Sequence, residues 1–236
     1  MAYQAVFKRY EIKYLITREQ KSRILQAMEP CMEGDEYGKT VIRNIYYDTD
    51  TYRLIRRSIE KPAYKEKLRI RSYKKAEPGS SVYVELKKKY DSVVYKRRLS
   101  MPEQKAMDWL EGRTECEPQS QISKEIDYFK DYYENLRPAL FLSYEREAYC
   151  AREDVGFRVT FDDHILCRQT KMSLEEDVFG DPVLEEGKVL MEIKTSGGIP
   201  LWMTQILSKE KIYKTPFSKY GTAYQKYIRY KKKWDE

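Results

Sequence analysis

The stretch that decides the fold is Lys65–Tyr73, KEKLRIRSY, together with the two that follow it, Val82–Tyr90, VYVELKKKY, and Ser92–Ser100, SVVYKRRLS. Side chains alternate across a β-strand, so each segment has two faces of different chemistry. Leu68 and Ile70 oppose Lys67, Arg69 and Arg71; Val82, Val84 and Leu86 oppose Glu85 and Lys87; Val93, Tyr95 and Leu99 oppose Lys96 and Arg98. The same alternation recurs at the start of the chain, where Val6, Tyr10, Ile12, Tyr14 and Ile16 oppose Arg9, Glu11 and Lys13. It returns in Phe157, Val159 and Phe161 against Arg158 and Asp162, and in Val189, Met191 and Ile193 against Glu192 and Lys194.

For a single strand the default is a half-buried sheet with its charges in water. Six such strands in succession argue for something else. Their ionic faces are short, rich in Arg and Lys, punctuated by carboxylates, and poor in the Thr, Ser, Gln and Asn of a solvent face. The pattern predicts a closed antiparallel barrel, ionic faces inward, with amphipathic helices covering the apolar outside. Such a lumen is costly unless its charges are paired or a polyanion fills it. A triphosphate or longer phosphate chain supplies negative charge along its length, and guanidinium groups match phosphate oxygens bidentately. The interspersed glutamates, Glu11, Glu85 and Glu192 among them, would repel phosphate unless they hold a bridging Mg²⁺ or Mn²⁺.

The rest of the chain narrows the choice. Its 236 residues can bury a real core, and with no repeat or long linker we read residues 1–236 as one domain. Forty-five basic residues against 38 acidic ones leave +7, an excess that points to an anionic partner. No apolar run suggests a membrane span, and the alternating N-terminus lacks a signal peptide's hydrophobic region, so a cytoplasmic protein is expected. Cys31, Cys116, Cys150 and Cys167 form no CxxC pair and read as reduced structural thiols. The single histidine, His164, nearly excludes a His-based zinc site and makes any Ser-His or Cys-His catalysis rest on one residue. Strands are expected near 3–16, 41–47, 65–73, 81–90, 92–100, 139–150, 156–168 and 188–195. Helices are expected near 17–32 (Thr17 as N-cap), 102–111, 121–135, 200–209 and 217–233. Together they give a mainly β (α+β) fold, an eight-stranded barrel with helices packed outside.

Taken in order, YEIKYLI, NIYYDTD, KLRIRSY, VYVELKKK, SYEREAY, FRVTFD, VLMEIKT and TPFSKYGTA resemble the catalytic domain of the vacuolar transporter chaperone (VTC) family, within the triphosphate tunnel metalloenzyme superfamily. Glu11-Ile12-Lys13 resembles the superfamily's ExExK signature with Arg9 in place of the first Glu, a departure expected of the VTC branch. The resemblance implies a polyphosphate polymerase that moves the terminal phosphoryl group of a nucleoside triphosphate onto a growing chain. Lys13, Arg69, Arg71, Lys87, Lys96, Arg146, Arg158 and Lys219 match its phosphate-contacting positions, and Glu192 its metal-binding glutamate. Lys194, on the face of Glu192, and Arg98, on that of Lys96, are further candidates for binding phosphate. Arg146 stands in register with Leu142 and Tyr144, on a face that reads as apolar unless a bulge redirects it. Tyr46 and Asp48 carry no assigned role, and Lys8, Lys67, Lys88 and Lys89 read as solvated.

Two other functions use the same cradle: a metal-dependent triphosphatase, if water is the acceptor, and a non-catalytic polyphosphate-binding module. The loss of an acid at Arg9 favours the polymerase. A nucleic-acid partner is not expected, because most of the 22 tyrosines fall at apolar strand positions or on one helix face. The basic KYIRYKKKW end reads as a solvated helix terminus, with docking to the inner face of a membrane as the alternative. Export of the product would call for a separate membrane protein. The expected ligands are therefore ATP or another nucleoside triphosphate, pyrophosphate and polyphosphate.

Overall fold

The computed structural model describes residues 6–7, 10–91, 93–154 and 156–230, with side chains from residue 10 onward. Lys8, Arg9 and the chain beyond Tyr230 lie outside the described residues. So do the readings made on them, including the departure at Arg9 and most of the basic terminus.

The strands are β1 (Val6–Phe7), β2 (Tyr10–Thr17), β3 (Met32–Gly34), β4 (Thr40–Asp48), β5 (Tyr64–Ser72), β6 (Ser81–Tyr90), β7 (Val93–Pro102), β8 (Arg137–Ala151), β9 (Arg158–Arg168), β10 (Asp181–Pro182) and β11 (Lys188–Thr195). The helices are α1 (Arg18–Met28), α2 (Arg53–Ile59), α3 (Glu103–Leu110), α4 (Gln121–Tyr133), α5 (Leu201–Lys209) and α6 (Lys219–Ala223), the last running into a π-helical turn, Tyr224–Ile228. Thr17 caps α1 as expected: its hydroxyl accepts from the Gln20 N–H, and the Gln20 side chain accepts from the Thr17 N–H.

All strand pairs are antiparallel, in the order β1-β7-β6-β5-β4-β8-β9-β11-β2, with β3 on β8 and β10 on β9. The sheet is thus not the closed eight-stranded barrel that alternation predicted. Its hydrogen-bonded path is open, ending on β1 and β2, into which the strand expected over 3–16 divides, and two short strands (β3, β10) add to the expected set. It nevertheless curls far enough for β2 and β5, separated by four strands along the path, to meet a common segment. Lys13 on β2 donates to the Phe217 carbonyl (3.1 Å), and Lys67 on β5 donates to Ser218 Oγ (2.9 Å). The same segment shields the free edge of β2, where Tyr14 bridges Lys214 and the Thr215 N–H bonds the Lys13 carbonyl (2.7 Å).

The outer faces are apolar and covered. Leu68, Ile70, Val82, Val84 and Leu86 pack with Ala106, Trp109 and Leu110 of α3 and Ile126 and Phe129 of α4. Ile16, Val159, Phe161, Val189, Met191 and Ile193 pack with Ile24 and Met28 of α1 and Met203 and Leu207 of α5. A third cluster fills one end of the concave side, where Tyr46, Leu142, Tyr144 and Leu190 meet Tyr220, Ala223, Tyr224 and Ile228. The C-terminal helix therefore plugs part of the tunnel from within.

α2 was not anticipated, and Asp48 accounts for it. Its fully buried carboxylate accepts from the N–H groups of Thr49, Leu54 and Ile55 and from the Tyr220 hydroxyl, tying the start of α2 to the plug. All four cysteines are free. Among the described residues no helix is long and apolar enough to cross a membrane.

Candidate phosphate-binding tunnel

Alternation puts one set of charged residues on the concave side: Glu11 and Lys13 of β2, Lys67, Arg69 and Arg71 of β5, Glu85 and Lys87 of β6, Lys96 and Arg98 of β7, Asp162 of β9, and Glu192 and Lys194 of β11. Two carboxylate hubs organise them. The first is Glu85, with no exposed surface. One of its oxygens accepts from Arg69 Nε (2.9 Å) and Nη2 (2.7 Å); the other accepts from Arg98 Nε (2.9 Å) and lies 2.7 Å from Lys96 Nζ. Burial pushes the Glu85 carboxyl up, but the pull of Arg69, Arg71 and Lys96 prevails and holds it far below the usual range. Arg69 also donates to the Tyr46 hydroxyl (3.1 Å). Arg71 spans Asn44 Oδ1 (2.9 Å) and the Tyr144 hydroxyl (2.7 Å), which places its guanidinium across β4.

The second hub is the pair Asp162 and Glu192, where Lys219 reaches both carboxylates (2.5 and 3.1 Å). Arg146 grips Asp162 with two bonds (2.6 and 2.7 Å), and Lys13 lies 3.6 Å from Glu192. Burial opposes ionisation of both acids, yet Lys219 leads a set of cations that keeps each carboxyl low. Burial likewise works against the Lys219 ammonium, and Asp162 and Glu192 outweigh it and raise its pKa.

Arg146 needs no bulge to enter the tunnel. Leu142, Tyr144 and Arg146 all line the concave face, which is apolar beside the plug and ionic beyond it. The β8–β9 register does shift between Ser143 and Glu145, without moving Arg146 off that face.

Lys13, Arg69, Arg71, Lys87, Lys96, Arg98, Arg146, Lys194 and Lys219 thus converge on one concavity. Arg158 sits at its rim, more than a third exposed and 3.5 Å from Asp35. Asp162 and Lys67 went unrecognised in the sequence, and Lys89, read as solvated, shares the concave face with them. Asp162 showed only as a charge sharing the face of Arg158, with nothing to mark it as a partner for Arg146 and Lys219. Lys67 read as solvated, yet it lies within the tunnel; burial first, then Lys13, Lys65 and Arg69, lowers its ammonium to about 7. Its two-residue spacing from Arg69 was the available signal. Thr160 adds a buried hydroxyl without a partner on the face of Arg158 and Asp162. His164 stands apart, exposed and bonded to Glu145 (3.1 Å).

Of the three carboxylates expected to hold a hard cation, Glu11 and Glu192 keep some exposed surface and Glu85 keeps none. Burial and Glu192 push the Glu11 carboxyl up, and Lys13, Lys87 and Lys194 more than offset them, leaving it at about 2. Glu85 is enclosed among three cations, Glu192 too lies within reach of Lys13, Arg146, Lys194 and Lys219, and the described residues contain no cluster of three or more metal-ligating side chains. A preformed all-protein cage is therefore absent among them. Mg²⁺ is commonly held by one or two carboxylates with phosphate oxygens completing the shell. Glu11 and Glu192 fit that arrangement.

A curled antiparallel sheet with arginines and lysines converging on its concave side makes a basic β tunnel. The chain belongs to the VTC domain family, whose pattern matches residues 8–228. No curated protein matches it. Among solved structures it is similar to a candidate adenylate cyclase from Bacillus halodurans, at 17% identity and a TM-score of 0.58, covering 95% of this chain and all of that one. A second candidate adenylate cyclase, from Vibrio parahaemolyticus, aligns at 11% identity and a TM-score of 0.46 over 93% of this chain and 98% of that one. The Bacillus likeness supports a β tunnel fold in general, and the family match places the chain among triphosphate-tunnel enzymes.

Proposed function

We propose that the protein is a polyphosphate polymerase that transfers the terminal phosphoryl group of a nucleoside triphosphate onto a growing phosphate chain. The observation that carries this is the convergence of Arg69, Arg71, Lys87, Lys194 and Lys219 on one concavity, beside the carboxylates of Glu11 and Glu192.

Phosphoryl transfer needs positioning and charge neutralisation rather than a protein nucleophile. Arg71 has donors free beyond Asn44 and Tyr144 and offers a planar fork to phosphate oxygens. Arg69 and Arg98 are held in orientation by Glu85 and present their remaining N–H groups to the tunnel. Lys13 and Lys219 rest on Glu192 and exchange that partner for phosphate when the chain enters. Mg²⁺ or Mn²⁺, held by Glu192 and Glu11 with the substrate, would supply further neutralisation of charge on the transferring group. Water in place of the phosphate acceptor would make the same cradle a triphosphatase. The binding-module reading has its own support, since every carboxylate of the second hub is already neutralised by a lysine or arginine.

Turnover of ATP with Mg²⁺ or Mn²⁺, with products separated by chain length on a gel, tests the proposal. A polyphosphate ladder that Arg69→Ala and Glu192→Ala abolish is the expected result. Free phosphate or pyrophosphate without a ladder would make the protein a hydrolase. Tight triphosphate binding without turnover would make it a binding module.

A further inference from the structure

Beyond the two carboxylate hubs the concave face carries a third group of basic side chains with no carboxylate in contact among the described residues, Glu11 acting on Lys67 and Lys87 only at longer range. Lys67 stands directly opposite Lys87 across the β5–β6 ladder, and Lys65 opposite Lys89. Like charges directly across a ladder repel. None of the four pairs with a carboxylate among the described residues; Lys67 has the Ser218 hydroxyl alone. Lys61 adds to the field at Lys65, as does Lys13 from the opposite wall. Each of the four keeps part of its surface open; protein surrounds Lys67 and Lys87 closely, and Lys65 and Lys89 lie further out along the row. Lys88, between Lys87 and Lys89, faces out towards Glu125 and is not part of the row.

The row has a direction. Arg69, Arg71 and Arg98 hold the middle of the tunnel with planar forks fixed by Glu85, Asn44 and Tyr144. From Lys67 and Lys87 the row continues to Lys65 and Lys89, two residues or about 7 Å further on and one short of the end of the β5–β6 ladder. Fixed forks suit one phosphate group in one place. Lysines are compact point charges on flexible stems, which can pass a phosphate chain from one to the next.

We propose that Lys65 and Lys89 form a chain-length subsite that binds the extended part of a linear polyphosphate, beyond the groups held by Arg69 and Arg71. The assignment rests on the phosphate-tunnel reading and adds to it a preference for anions longer than a triphosphate. Self-repulsion of the row is relieved only when a chain reaches it, so long chains gain affinity that short ones do not.

The test is titration calorimetry of the wild-type chain and of Lys65→Gln/Lys89→Gln with two probes, tripolyphosphate and a long linear polyphosphate. Wild type should bind the long chain more tightly per molecule. The double variant should lose about tenfold in the ratio of the two affinities, with a shallower salt dependence for the long chain. An unchanged ratio would overturn the subsite while leaving the tunnel reading intact. Failure of wild type to bind tripolyphosphate at all would overturn the tunnel reading itself. Because each variant's two probes are compared on the same folded sample, a general loss of stability does not imitate the result.

Discussion

Glu85 shows how a single side chain can set the geometry of a site without being aimed at its ligand. It lies between Arg69, Lys96 and Arg98, has no exposed surface, and fixes two guanidinium planes. Removing one partner of a buried charge network leaves the others uncompensated. Glu85→Gln is therefore expected to destabilise the fold by about 3–5 kcal/mol, since three cations lose their shared anion. Thermal unfolding checks this, and tripolyphosphate should recover more of the lost stability in the variant than it adds to wild type. A variant as stable as wild type would mean that the cations spread apart without cost. Arg71 differs in that its partners are neutral. Arg71→Lys gives up the fork between Asn44 and Tyr144, and should weaken tripolyphosphate binding about tenfold, roughly 1.4 kcal/mol, in the same calorimetric assay.

At the scale of elements the informative joint is the one between β4, α2 and α6. Asp48 satisfies two backbone donors at the start of α2, the Thr49 N–H before it and the Tyr220 hydroxyl of the plug, while Ser218 caps α6 and receives Lys67. Asp48→Ala leaves those donors buried without a partner and is expected to cost about 2–4 kcal/mol, measured by urea unfolding. It should also loosen Lys219, which α6 carries into the second hub, so phosphate affinity should fall although Asp48 is remote from the ligand. The periodicity of β2, β5, β6, β7, β9 and β11 was legible because each of these strands alternates cleanly between an ionic and an apolar face. α2 was not legible, since Arg53–Ile59 has no capping residue at its start and depends on a carboxylate several residues upstream. The inward position of Leu142 and Tyr144 misled for a related reason. An apolar residue can line the concave side where a helix fills it.

For the whole molecule the charges determine the response to pH. The carboxyls of Glu11, Glu85, Asp162 and Glu192 all lie below their ordinary values. Their contribution is fully present above roughly pH 4.5 and is lost as the pH falls through the folded values, so stability should drop steadily on acidification. Lys67 acts in the opposite sense. Its ammonium is lowered to about 7, so between there and roughly pH 10.4 the unfolded chain holds a proton that the folded chain lacks, and stability rises with pH. Phosphate binding needs that proton. At roughly pH 8 tripolyphosphate should therefore bind with net proton uptake, seen as a dependence of the binding heat on the buffer's ionisation enthalpy. Burial holds the Lys87 ammonium well below its ordinary value as well, so Lys67→Met should abolish part of the uptake and Lys67→Met/Lys87→Met most of it; uptake undiminished in the double variant would assign the proton elsewhere.

The sequence by itself determined the alternation that makes each strand ionic on one side and apolar on the other, the basic excess that calls for an anion, and the ordered motifs that identify the family. Those are properties of neighbours along the chain, where a two-residue period suffices. The tertiary structure alone decided that the sheet's path stays open between β1 and β2, that the C-terminal helix enters the concave side, and which carboxylate neutralises which cation. Glu85, Asp162 and Glu192 look alike in sequence. What separates them is which strands the curl brings opposite them, and electrostatic pairing depends on distances across the lumen rather than on spacing along the chain.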